Sequence, residues 1–218
     1  MDLINAGDAA AGFAAFGQLP AWFFEVVFKG GVGLVSAGQT AQTTLYLEPG
    51  VYVIECYVKT GGKFHGLFGM AKQLVVTQAT TDAAPPKASL QMTLSREGGL
   101  AIEGKLRPGL QTIAVHFQDQ GPHEHFLGHD VHLVRLTDNS DVASLEAWMD
   151  WSSPTGMETP APEGVFMGGA QEMPAGSTAY ITAQLRPGRY AFIAEVPAPS
   201  SKGMLYTFQI PEGKRAAR

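Results

Sequence analysis

The sequence predicts an all-β protein of two related Greek-key β-sandwich domains, the first of them incomplete. Two observations carry that fold class. Gly (26 residues) and Pro (14) are plentiful and only 16% of residues are charged. Val, Thr, Tyr and Phe are frequent, a mix that favours short strands joined by turns. The second observation is an internal repeat. Val27-Phe28-Lys29-Gly30-Gly31, Ala37-Gly38 and Leu47-Glu48-Pro49-Gly50-Val51-Tyr52 recur at one constant offset as Val165-Phe166-Met167-Gly168-Gly169, Ala175-Gly176 and Leu185-Arg186-Pro187-Gly188-Arg189-Tyr190. Gly69-Met70 returns as Gly203-Met204, after a loop four residues shorter.

The repeat sets the domain boundaries: a partial domain at 1–78, a linker at 79–87, a second domain at 88–212 and a tail at 213–218. Read backwards, Met1-Asp2-Leu3 falls on Val134-Arg135-Leu136, inside an apparent strand at 129–136. The first copy is therefore expected to begin in mid-strand, as a fragment or the product of a late start codon. Completion of its sheet by a strand of another chain, or by oligomerisation, is the alternative, because an unpaired edge is costly.

Several function classes fall away on composition. A net charge of −5 without a Lys/Arg cluster lacks the basic footprint that nucleic acid requires. No apolar run approaches the roughly 20 residues of a membrane span. The first residues carry no secretory signal. One Cys excludes an internal disulfide framework and leaves a free thiol or a ligand.

Taken in order, Asp8 is placed to cap a short helix at Ala9–Phe16, closed by Gly17. Asp141 does the same for a helix at 143–151 in the second copy. Each helix is expected to plug one end of a sandwich, burying Phe13 and Phe16 or Leu145 and Trp148. Strands are expected at 43–48 and 50–58 around the Pro49-Gly50 turn, and at 73–76. Small and Pro residues at 79–87 read as the linker. The second domain is expected to place strands at 89–95, 111–118, 129–136, 179–186 and 189–196, with a Pro/Gly-rich excursion at 160–178.

The chemistry gathers around Cys56. In an extended strand it shares a face with Tyr52, Ile54 and Val58, and its simplest reading is a small buried hydrophobe. His65 follows after eight residues and Met70 after four more. Cys, His and Met are the donor types of a blue copper centre, which takes two His and a Cys in a plane with a weak axial Met. A further set, His123, His125, His129 and His132, lies within ten residues. Imidazoles there suit copper or zinc, although an adventitious or structural role fits His123, His125 and His132 better. Position 194 is Ala where the first copy has Cys56, and Met204 has no His in its loop, which makes it a packing residue.

The L-x-P-G-x-Y-x-x-x-C strand at 47–56, the G-K-F-H-G-L-F-G-M loop at 62–70 and the G-H-D-V-H-L-V-R-L strand at 128–136 resemble the cupredoxins, more particularly tandem cupredoxin-like domains of bacterial exported proteins. The Cys-x8-His-x4-Met spacing is similar to the type 1 copper loop of copper nitrite reductases. The resemblance implies a copper cofactor held by Cys56 as thiolate, His65 as imidazole and Met70 as axial thioether. It places the missing first His at the position of His129. It also implies electron transfer with a redox partner protein, and a periplasmic or extracellular location. Glu55 and Tyr57 flank Cys56 where copper reductases and oxidases have a His, which argues against an enzyme. A metal-free binding or structural module of the bacterial envelope is the alternative. A divergent copper enzyme using His123, His125 and His129 is a weaker third reading.

Overall fold

The computed structural model describes residues 2–78 and 81–212. Met1, positions 79 and 80 of the predicted linker, and the predicted tail at 213–218 lie outside the described residues. In chain order the elements are α1 (Asp2–Asn5), α2 (Ala9–Phe16), β1 (Gln42–Thr44), β2 (Gly50–Glu55), β3 (Lys59–Thr60), β4 (Lys63–Phe64), β5 (Ala71–Val76), β6 (Leu90–Ser95), β7 (Gly99–Glu103), β8 (Gly109–Phe117), β9 (Val131–Leu136), α3 (Val142–Met149), β10 (Val165–Ala170), β11 (Thr178–Leu185), β12 (Gly188–Ile193) and β13 (Leu205–Ile210).

Two sheets are built on the second copy. One has the order β1-β11-β8-β6-β7 and the other β10-β9-β12-β13. All pairings are antiparallel except β6 with β8, which run parallel. Alternation drives the packing: Leu90, Met92 and Leu94 of β6 with Ile113, Val115 and Phe117 of β8 face Val131 and Leu133 of β9 and Tyr190 and Phe192 of β12. β9 is buried on both faces, because its alternate residues Val134 and Leu136 pack with Leu145, Trp148 and Met149 of α3. Asp141 starts α3 by accepting from the N–H groups of Ala143 and Ser144 at 3.2 and 3.3 Å, which satisfies two of the donors that a helix start leaves free.

The first copy adds to these sheets about a local two-fold axis. β1 pairs with β11 so that Thr43 faces Ile181, the residue the repeat equates with it. Val32 bridges Ala170, again its own counterpart, and Val35 bridges Met167. Antiparallel contact centred on equivalent residues is an isologous contact made within one chain. Glycine is needed where the two backbones cross: a Cβ on Gly33 would lie 2.7 Å from the Cα of Gly169.

Local structure in the two copies matches closely. The hydroxyl of Tyr52 donates to the Glu48 carbonyl at 2.7 Å, and that of Tyr190 to the Arg186 carbonyl at 2.8 Å. Burial does not match. β12 lies between β9 and β13, whereas β2 pairs with β5 alone among the described residues. Val53 and Ile54 are 68% and 58% exposed, while their counterparts Ala191 and Phe192 are 1% and 0%.

Some expectations give way. Residues 2–5 form a helix, not the end of a strand, and Ile4 is buried against Gly12 of α2. β10 lies inside the predicted 160–178 excursion, with its glycines absorbing a register shift between Phe166 and Gly169. β2 stops at Glu55, so Cys56 lies just beyond its strand, and β7 was not expected. Phe13 and Phe16 are only half-buried. They pack against Phe126 and Trp151 of the second copy.

Candidate metal centre

The turn between β2 and β5 is closed by its own backbone. Cys56 N–H donates to the Met70 carbonyl at 3.1 Å, and Gly66 N–H to the Cys56 carbonyl at 3.0 Å. Met70 N–H donates to the His65 carbonyl at 3.1 Å, and Gly69 takes a left-handed conformation to end the turn at His65–Phe68. The loop is also anchored from outside. Lys59, fully buried, sends its Nζ to the carbonyls of Trp151 and Ser153 at 3.1 and 3.0 Å. Glu158 receives the N–H groups of Gly61 and Gly62 at 2.6 and 2.9 Å.

This frame sets Cys56 Sγ 3.7 Å from His65 Nδ1. A thiolate and an imidazole bound to one ion at about 2.3 and 2.0 Å in a trigonal plane have their donor atoms about 3.7 Å apart. The far nitrogen of His65, Nε2, lies 2.9 Å from the Thr60 hydroxyl, which in turn meets the Thr159 hydroxyl at 2.6 Å. A partner on the far nitrogen is what fixes the ring of a ligating His. The residues present therefore fit a copper ion through sulfur and one nitrogen. Met70, 56% exposed, lines the same shallow depression as Cys56, Ile54 and Lys72.

The second copy keeps this loop without the donors. Ala194 N–H donates to the Met204 carbonyl at 3.1 Å and Met204 N–H to the Pro199 carbonyl at 2.8 Å. Ala194 and Pro199 stand at the places of Cys56 and His65, and Met204 is fully buried, as a packing residue should be.

The four histidines between 123 and 132 separate into three groups. His129, fully buried, contacts Asp119 Oδ1 through Nε2 at 2.7 Å and His123 Nε2 through Nδ1 at 3.0 Å. Among the described residues it is not gathered with Cys56 and His65. Burial, followed by the nearby His129, pushes His123 down to about 4. The hydrogen bond from His129 holds the Asp119 carboxyl below its usual range.

His125 goes elsewhere. Its Nδ1 lies 2.7 Å from Ser152 Oγ and 3.3 Å from Asp150 Oδ1, and its ring stacks on Phe13 with centroids 4.5 Å apart. Ser, His and Asp meet here, but Ser and Asp share one ring nitrogen. A relay needs them on opposite nitrogens, and Ser152 is only 5% exposed. This trio is a structural knot, not a nucleophile.

His132 sits in the third group, whose other members the sequence reading missed. Its Nε2 lies 2.9 Å from Asp130 Oδ2 and 3.3 Å from Glu195 Oε1, and all three side chains are buried. Burial works against a charge on His132, while Asp130 and Glu195 favour a proton on its ring. Leu34 N–H, however, donates to Nδ1 at 2.9 Å, which requires a lone pair there. The neutral ring with its proton on Nε2 meets both demands, and burial raises the Asp130 carboxyl above its usual range. The repeat offered one signal for this group, since Glu195 directly follows Ala194, the position of the lost cysteine.

No protein-family model matches the chain, and no curated protein matches it. Among solved structures, auracyanin B is similar at 17% identity and a TM-score of 0.34, over 59% of this chain and 94% of that one. A multi-copper oxidase from Pediococcus acidilactici is similar at 14% identity and a TM-score of 0.29, over 65% of this chain. This chain spans 30% of the oxidase. Superpositions this loose do not carry the fold, which rests on the strand pairings, or the chemistry, which rests on the side chains.

Proposed function

We propose that the first copy is a cupredoxin-like copper site of the electron-transfer kind, in which Cys56, His65 and Met70 would hold the ion. The observation that supports it is the 3.7 Å separation of Cys56 Sγ from His65 Nδ1, on a loop closed by backbone hydrogen bonds. Bound copper would supply a one-electron couple. The chain's part is to hold the thiolate at the end of β2 and the imidazole against Thr60, so that the donors move little between oxidation states. A further imidazole would have to come from a strand laid along the edge of β2 that stays open among the described residues. β9 lies against β12 in that way, with Ile193 opposite His132 and Glu195 N–H donating to Asp130 Oδ1 at 2.8 Å. A redox partner protein and a periplasmic or extracellular setting belong to this reading.

The test is visible absorption on adding Cu(II) to the reduced protein. An intense thiolate-to-copper band is expected, absent in Cys56→Ser. A folded protein with a free thiol and no such band at any copper ratio overturns the proposal. One observation favours the alternative, a metal-free binding module: the second copy preserves the same loop after losing both donors.

A further inference from the structure

Two groups of side chains outside the Cys56 loop have the donor atoms of a metal site, and their hydrogen bonds separate them. A ligating imidazole keeps its proton on the nitrogen away from the ion and donates it outward, most often to a carboxylate or a carbonyl. His132 has the opposite polarity. Its Nε2 faces Asp130 and Glu195, but its Nδ1 accepts from Leu34 N–H. A metal on Nε2 would set two N–H groups against each other, so this trio is closed by its own proton.

His129 has the required polarity. Nε2 faces Asp119 Oδ1 at 2.7 Å, and Asp119 is itself held by Arg96 N–H at 3.0 Å. The Gln120 side chain clamps the backbone on both sides, accepting from His129 N–H at 2.6 Å and donating to its carbonyl at 3.2 Å. The proton on Nε2 thus belongs to Asp119, and the Nδ1 lone pair points at His123 Nε2, 3.0 Å away. Two imidazole nitrogens at that separation are spaced as neighbouring ligands of one ion with bonds of about 2.0–2.1 Å.

We propose that His123 Nε2 and His129 Nδ1 chelate a borderline divalent cation such as zinc, nickel(II) or copper(II), with Asp119 orienting His129 from behind. The cation takes the place of the proton between the two rings, and that proton moves to His123 Nδ1, so that both imidazoles bind in their neutral form. Water completes the coordination on the side of His123, which is half-exposed. Asp119 is a positioning residue and does not touch the cation.

The experiment uses the full chain carrying Cys56→Ser, so that the thiolate loop cannot contribute, and titrates it with zinc by calorimetry. Imidazole nitrogen shifts are recorded by NMR in parallel. One equivalent should bind, moving His129 Nδ1 and His123 Nε2 together and leaving His125 unmoved. His123→Ala, at a half-exposed position, should weaken binding at least tenfold. Asp119→Asn should weaken it about 10- to 100-fold, with circular dichroism unchanged. Zinc affinity unaltered by His123→Ala, or shifts centred on His132, overturns the proposal. Because Cys56 is absent throughout, neither result bears on the thiolate–copper reading.

Discussion

Glu172 shows how one side chain can report on the junction between the copies. Burial raises its carboxyl, the neighbouring Asp130 and Glu195 raise it further, and it reaches about 7 against an ordinary 4.5. A carboxyl that holds its proton in the folded state and loses it in the unfolded one stabilises fully below 4.5. That contribution is lost as pH rises from 4.5 to about 7. Glu172→Gln should therefore leave thermal stability at pH 4.5 almost unchanged and raise it at pH 8 by about 1–3 kcal/mol, read from melting curves at the two pH values. His123 works in the other direction. Its depressed value means that stability present above 6.5 drains away as pH falls towards about 4. The site residues were unequally legible at this scale. Cys56 and His65 are joined by a short loop, so their spacing alone brought them together. Asp130, His132 and Glu195 meet because β9 lies beside β12, and Leu34 arrives from the other copy, neither of which is local in sequence.

At the scale of elements, the hairpin β2–β5 and its counterpart β12–β13 are the same turn chemistry in different surroundings. In water, the apolar faces of Val53 and Ile54 contribute little, so Ile54→Thr should change stability by less than about 0.5 kcal/mol. Phe192→Ala, at the equivalent buried place, should cost about 3–5 kcal/mol. Urea melts of the two variants check the contrast, and a large loss for Ile54→Thr would show that the hairpin is covered in solution. Elements with a local cause were readable in advance. Asp8, which accepts from Ala11 N–H at 3.0 Å, announced α2 to the residue. β10 was hidden by its own glycines, which read as loop but serve the close passage of Gly33 past Gly169. α1 was misread because the repeat extended a strand alignment to residues that instead fold Ile4 onto Gly12.

At the scale of the whole molecule, the contact between the two copies leaves no room for a side chain at Gly33. A methyl group there meets backbone, which cannot swing aside as a side chain can. Gly33→Ala should cost about 1–3 kcal/mol and open the β1–β11 contact, seen as faster amide exchange at Thr43 and Ile181. Retained protection at both sites would count against the crossing as the point of closest fit. The composition foresaw a chain built mostly of strands, and the repeat foresaw which residues correspond across the contact, as Thr43 with Ile181 and Val32 with Ala170. Neither indicated that one half would continue the sheets of the other, because that depends on edges meeting in space. A seam centred on residues that the halves hold in common does not distinguish between partners on one chain and on two. The first half of one molecule fits the second half of its neighbour as well as its own. An exchanged, interlocked pair would need no contact the monomer lacks, and dilution would favour the closed monomer over it.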